Sequence, residues 1–149
     1  MKKTIFSIAA VLMIGLSAFA NNGTDVNQQA VRAFTKDFST AKNAVWEQNK
    51  DFIKVTFTYA EQVMCAFYNN SGELQAVTRN ILSDQLPLSL LTELKKEYNG
   101  FWISGLFEMA SDDQTSYYVT LENADKTLVL KSVGISNWSV YSKTRKEVE

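Results

Sequence analysis

The sequence predicts an α+β domain in which two helices lie on one face of a single antiparallel sheet. Apolar residues recur every three or four positions in two separate stretches, which indicates two amphipathic helices. Each stretch is followed by four short segments that are rich in alternating apolar, β-branched and aromatic residues and are separated by turn signals. The order helix, four strands, helix, four strands predicts two tandem repeats, at about 26–82 and 87–143.

The first predicted repeat opens with a helix at 26–40, which Asp25 could cap. Its apolar stripe consists of Ala30, Val31, Phe34, Phe38 and Ala41. The strands of this half are predicted at 44–47, 52–59, 63–68 and 73–82. The clearest strand is 52–59, where polar residues alternate with Ile53, Val55, Phe57 and Tyr59, and 69–72 (Asn-Asn-Ser-Gly) is a strong hairpin signal.

The second predicted repeat opens with a helix at 87–98, because Pro87 suits a helix start and Asn99-Gly100 a helix end. Its strands are predicted at 101–110, 116–122, 127–133 and 138–143. Phe34 and Phe38 of the first helix match Leu94 and Tyr98 of the second at one common offset. The hairpin at 67–74 matches the one at 121–128 at a slightly smaller offset.

The first twenty residues predict a secretory signal peptide. Lys2 and Lys3 precede an apolar run at 5–16, and Ala18 and Ala20 provide small residues before a cleavage site. This run is too short to span a bilayer comfortably, since spanning takes about 20 residues. We therefore expect residues 21–149 to form a single domain that is periplasmic or secreted, without stable membrane insertion.

The composition of the mature chain argues against most kinds of catalysis. It has no histidine and a single cysteine, Cys65, so that a serine–histidine site, a zinc site and an internal disulfide are all excluded or nearly so. Neither a glycine-rich phosphate loop nor a calcium-loop spacing is present, and Asp112-Asp113 is more simply a turn than a carboxylate pair. The absence of a basic patch makes nucleic acid an improbable partner. We expect no enzymatic activity, no metal and no cofactor.

Aromatic residues are the positive signal for function. If Phe101, Ile103, Phe107 and Met109 face the helices, strand alternation turns Trp102 to the face that no helix covers. The same reasoning selects Tyr68 and Tyr118, so these three residues are the candidate binding site. Exposed tyrosine and tryptophan suit protein recognition. The alternative is that these aromatics form a second small core or lie half-exposed on the sheet.

Several segments together carry a family resemblance. They are the apolar first helix, Ala44-Val45-Trp46, the hairpin from Phe67 to Leu74, and Leu86-Pro87 before a helix that ends at Tyr98. With the signal peptide, they resemble the PepSY-like secreted proteins of Bacteroidetes, which are related in fold to β-lactamase-inhibitor protein. The resemblance covers most of 26–143. It implies tandem α/β repeats, a sheet that is concave away from the helices, and no enzymatic activity. The precedent among these relatives is either binding and inhibiting an enzyme through the concave face or a role beside peptidases.

These observations favour an exported module that recognises an envelope or extracellular protein or peptide on its free sheet face. The main alternative is a carrier of a small molecule or lipid, with an aromatic-lined cavity between helix and sheet. A carboxylate-based hydrolase and a structural envelope protein that associates through sheet edges are further alternatives.

Overall fold

The computed structural model describes residues 26–112 and 114–147. The predicted signal peptide with its cleavage site, the predicted cap Asp25, and Asp113 lie outside these residues. The helices are α1 (Gln28–Asp37) and α2 (Leu88–Glu97), the second preceded by a short 3-10 turn at Ser83–Gln85. The strands are β1 (Lys42–Gln48), β2 (Ile53–Tyr59), β3 (Gln62–Tyr68), β4 (Leu74–Asn80), β5 (Trp102–Ser111), β6 (Gln114–Glu122), β7 (Lys126–Val133) and β8 (Ser139–Arg145).

All eight strands form one antiparallel sheet in which each strand pairs with its neighbours in sequence, so that the order is β1 to β8. The structure is therefore α+β, with every helix and strand in the predicted order and with bounds that differ by a few residues. The two helices have the same length, so the offset between their first residues, Gln28 and Leu88, also holds between their last. Phe38 and Tyr98 each donate a backbone N–H to the carbonyl four residues earlier.

The predicted equivalence of the hairpins at 67–74 and 121–128 is wrong. The turn at 69–73 joins β3 to β4, the third and fourth strands of the first half. The turn at 123–125 joins β6 to β7, which are the second and third strands of the second half. The two turns share Asn at their first position because Asn69 and Asn123 each accept backbone hydrogen bonds within the turn.

Helix α1 begins at a polar junction with the hairpins. The Asn27 side-chain oxygen accepts hydrogen bonds from the backbone N–H groups of Gln29 and Ala30 at 2.8 and 3.3 Å. Its amide nitrogen donates to the Asn70 carbonyl at 2.8 Å, and the Asn70 side chain donates to the Lys50 carbonyl at 3.0 Å. The cap thus satisfies the first orphan N–H groups of the helix and joins it to two turns.

Each helix covers its own apolar cluster on the same face of the sheet. Ala30 and Phe34 of α1 pack on residues of β2 and β3, chiefly Ile53, Val55, Phe57, Ala66 and Tyr68. Leu90 and Leu94 of α2 pack on residues of β5, β6 and β7, chiefly Leu106, Val119, Leu121, Leu128 and Leu130. Trp138 also packs in the second cluster, and its indole N–H donates a hydrogen bond to the Leu90 carbonyl at 3.0 Å. The two helices therefore stand over different halves of the sheet.

A third cluster lies on the other face of the sheet. It contains no residue of either helix and consists of Phe67, Ala76, Met109 and Tyr118, with Phe52, Cys65, Phe107 and Tyr141 packed against them. We call this side the helix-free face. None of the helices in the described residues is long and apolar enough to cross a membrane.

Candidate recognition face

The strand register places each predicted site residue on one of the two faces. Tyr68 of β3 lies directly opposite Ile53 of β2, which packs beneath α1. Residues directly opposite in an antiparallel pair share a face, so Tyr68 lies on the helix side. The prediction that Tyr68 lies on the helix-free face is wrong: alternation separates it from Cys65 and Phe67 as expected, but these two are the residues that face away from the helices.

Tyr68 is fully buried, and its hydroxyl makes no hydrogen bond in the described part of the chain. Burial raises the pKa of this phenol, and the negative charge of Asp37 raises it further. The hydroxyl is therefore neutral at physiological pH. Since its side chain is inaccessible in the folded state, Tyr68 acts in this structure as a core residue.

Tyr118 lies on the helix-free face, as predicted, but its side chain is only 1% exposed. The Phe107 ring stacks on it with 4.9 Å between centroids and 9° between planes, and the Tyr141 ring meets it edge-on at 5.7 Å. The Lys131 ammonium stands 5.4 Å from its ring centroid. The alternative of a second small core therefore describes Tyr118 correctly.

Trp102 lies on the helix-free face and is 54% exposed. The prediction that Phe107 and Met109 face the helices is wrong, because both lie on the same face as Trp102. A β-bulge between Ile103 and Gly105 inserts one residue, so that alternation changes phase within β5. Trp102 pairs with Glu122 and Phe107 pairs with Tyr118, and these two partners share a face of β6.

Two charged residues hold Trp102 in place. The Lys146 ammonium lies 5.0 Å from the indole centroid and 2.8 Å from the Glu122 carboxylate. Hydrogen bonds from Lys146 and Ser104 hold the pKa of the Glu122 carboxyl below its usual value. The carboxylate therefore stays ionised and keeps the ammonium over the indole ring. We call Trp102, Glu122 and Lys146 the Trp102 corner.

Sequence reasoning missed the other residues that shape this face. Phe107, Lys131 and Tyr141 surround Tyr118. The bulges in β5 and β8 change the alternation near Phe107 and Tyr141, so a simple alternating pattern does not place these two residues. Lys146 follows β8 in a segment that alone looks like a polar tail. Only the β6–β7–β8 pairing brings it beside Trp102.

The helix side carries an open cleft of about 360 Å³ between the two halves of the sheet. Among the described residues that line it, Tyr59 alone is aromatic, so this lining differs from the aromatic-lined cavity predicted for a carrier. Within residues 26–112 and 114–147, no three histidine, cysteine, aspartate or glutamate side chains are grouped so that they could hold a metal ion.

The sequence matches no family model and no curated protein. Solved structures do resemble the fold. A BLIP-like protein from Bacteroides fragilis superposes with a TM-score of 0.68 at 15% identity, over 83% of this chain and 89% of that one. The fold is BLIP-like. A putative periplasmic protein from Bacteroides eggerthii has a TM-score of 0.72 at 11% identity, over 81% of this chain and 89% of that one. A DUF2874 family protein from Bacteroides ovatus has a TM-score of 0.72 at 12% identity, over 83% and 89% of the two chains.

Proposed function

We propose that this BLIP-like chain is an exported, non-enzymatic module that recognises a protein or peptide through its helix-free face. The observation that carries the proposal is the Trp102 corner, where a large side chain stays 54% exposed and yet is fixed by a cation. Tryptophan is enriched among residues that dominate binding energy. A residue fixed before binding loses little side-chain entropy on association.

The surface around Trp102 supports the same proposal. Val45, Val63 and Val133 are also exposed, and the register places them on the helix-free face, opposite Thr56, Thr58 and Ser116. The ion pair between Lys54 and Glu47, at 2.7 Å, and the half-buried Lys131 add polar contacts. A non-obligate interface is about as apolar as the rest of a protein surface, so separate apolar side chains among charged groups fit such an interface. The burial of Phe67 and Tyr118 without a covering helix supports the predicted concave shape of this face.

The predicted signal peptide and the description of a similar fold as putative periplasmic support export to the periplasm or beyond. The description of a second similar structure as BLIP-like supports the proposal that the partner is an enzyme and that this chain inhibits it. We also propose that the two halves are tandem repeats, because one constant offset relates α1 to α2 along their whole length. Membership of the PepSY-like family stays a prediction.

The test uses the mature chain, with Trp102 intact, carrying a photo-crosslinking amino acid at position 144 or at position 88, in an envelope extract of the source organism. Thr144 is exposed and lies on the helix-free face near Trp102, because the register runs from Trp102 through Glu122 and Thr127 to Thr144. Leu88 is the matched control, since it is 77% exposed but belongs to α2 on the other side of the sheet. We expect one adduct of defined mass from position 144 and none of that mass from position 88.

Alanine variants without the photo-crosslinker complete the experiment. A tryptophan that dominates an interface contributes at least about 2 kcal/mol, so Trp102→Ala should weaken binding of the cross-linked partner about thirtyfold. Leu88→Ala should leave it unchanged. Equal binding of the partner by wild type and Trp102→Ala would refute the assignment of this face.

A further inference from the structure

The helix side of the sheet has a polar gap where its two halves meet. Strands β4 and β5 form this junction, and neither helix contributes to the lining of the cleft there. Most of the helix side carries apolar residues, whereas this junction carries Arg79 opposite Glu108. The cleft over them has a volume of about 360 Å³, which is within the range of small-molecule sites.

The cleft is lined by apolar and by charged side chains. Met64, Val77 and Ala110 are among the apolar ones, and Met64 lies directly opposite Arg79 in the strand register. Arg79 Nε and Nη2 donate to the two oxygens of Glu108 at 3.2 and 3.4 Å, and Nη1 donates to the Gln62 side-chain oxygen at 3.4 Å. The Arg79 and Glu108 side chains are only 37% and 23% exposed, so both are partly desolvated.

The pair retains unused capacity for hydrogen bonding. A guanidinium has five N–H groups, and Arg79 uses three of them in these contacts. The Glu108 carboxylate keeps free lone pairs, because each oxygen accepts one hydrogen bond. These remaining donors and lone pairs are available to water or to a ligand in the cleft.

The charges of the site also limit what it can take. Arg79 and Glu108 together are neutral, so a ligand with a net charge would leave one charge uncompensated in a partly desolvated place. A neutral apolar ligand would leave the free donors and acceptors without partners. A ligand with one cation and one anion close together meets both demands.

We propose that this cleft binds a small zwitterion with an apolar side chain, namely a free amino acid or a short peptide. Its carboxylate accepts hydrogen bonds from Arg79, its ammonium donates to Glu108, and its side chain rests on Met64 and Val77. The site lies on the opposite side of the sheet from the Trp102 corner, so it does not depend on the proposed partner recognition.

Titration of the labelled mature chain, followed by NMR, tests the proposal with four probes. L-leucine carries both charges, N-acetyl-L-leucine lacks the ammonium, L-leucinamide lacks the carboxylate, and leucyl-leucine separates a peptide from a free amino acid. We expect L-leucine or leucyl-leucine to bind with a dissociation constant of about 1 mM or tighter and to shift the amides of Met64, Val77 and Ala110. Each singly blocked probe should bind at least about tenfold more weakly, and the stronger of the two zwitterions identifies the source.

Two variants separate binding from folding. Arg79→Met with Glu108→Leu replaces the ion pair by apolar residues of similar size, which should keep the junction folded and abolish binding. Arg79→Lys keeps the positive charge but loses the planar guanidinium, which can donate two parallel hydrogen bonds, and it should weaken binding severalfold. Trp102→Ala should bind the zwitterion as the wild type does. The proposal is overturned if neither zwitterion binds at about 10 mM, if the blocked probes bind equally well, or if the double variant still binds.

Discussion

Replacement of Gly72 by alanine should destabilise the fold through the start of α1. Gly72 has φ +78°, and a Cβ built on it would lie 2.7 Å from both the carbonyl carbon and the Cβ of Gln29, and 3.0 Å from the Ala30 nitrogen. Ordinary contacts between carbon atoms are about 3.5–4.0 Å. The neighbours are mainly backbone atoms of the first helical turn, so they cannot rotate away.

Two costs add at this position. An alanine in the left-handed region costs about 1 kcal/mol, and forcing the turn away from the helix costs about 2 kcal/mol more. Gly134 provides the control for the first cost, because it has φ +62° and a Cβ there would meet nothing within 4 Å. Gly100 controls for both, since its φ is not in the left-handed region and its surroundings are open. We expect losses of about 3, 1 and 0 kcal/mol for Gly72→Ala, Gly134→Ala and Gly100→Ala.

Urea unfolding of the mature chain, followed by tryptophan fluorescence and circular dichroism, measures these differences. In a domain of this size, 3 kcal/mol corresponds to a lower melting temperature by about 10 °C. Equal losses for Gly72→Ala and Gly134→Ala would refute the reasoning, because strain alone would then account for both. A loss at Gly72 without any change in the amide shifts of Gln29 and Ala30 would contradict the proposed contact.

Substitutions at three further positions each change one polar group. Tyr68→Phe removes a buried hydroxyl that has no partner in the described chain. The free energy of unfolding should therefore stay the same or rise by up to about 1–2 kcal/mol. Because burial raises the pKa of Tyr68, the native state holds this proton above pH 10 while the unfolded state releases it. Stability should therefore fall as pH rises from about 10, and fall less steeply in Tyr68→Phe, as denaturation against pH would show. Trp138→Phe loses the bond to the Leu90 carbonyl and part of the indole volume, a loss of about 2 kcal/mol by urea unfolding; no change would contradict the contact. Asn27→Ala should lose about 1–2 kcal/mol, and Asn27→Asp less, because aspartate keeps the cap oxygen but not the donor to Asn70; calorimetry that ranks them in reverse would contradict the cap.

Local patterns were sufficient to predict the elements of this fold. The stripe that includes Phe34 and the alternation of Ile53, Val55 and Phe57 depend on burial of one side of each element, which leaves a period in the sequence. The turn at 69–72 depends on side-chain bonds within a few residues, such as that from the Ser71 N–H to Asn69. Such signals lie within one helix, strand or turn, so they can be recognised without knowing which other elements pack against it.

The candidate site was harder to predict, because the facing of a strand depends on its partners. The bulge between Ile103 and Gly105 changes the phase of β5, and the prediction of unbroken alternation did not use Gly105, a glycine inside a strand pattern, which is the local sign of such a bulge. Tyr68 shows a related difficulty, because only its pairing with Ile53 shows that it lies on the face that α1 covers. The Arg79–Glu108 pair joins residues 29 positions apart, which sequence alternation cannot connect.

The helix-free face carries both a small core and the residue that we propose for recognition. Phe107, Tyr118 and Tyr141 pack on one another there, so that this face has its own core in a chain whose single cysteine cannot form an internal disulfide. Trp102 is not part of that core, and the Lys146 ammonium lies 5.0 Å from its ring centroid. Tyr118→Ala should therefore cost about 3–5 kcal/mol of folding free energy, whereas Trp102→Ala should cost less than about 1 kcal/mol. Urea unfolding of both variants checks this ratio. If Trp102→Ala proved as destabilising as Tyr118→Ala, the exposed indole would be a structural residue, and its fixed position would no longer argue for a binding partner.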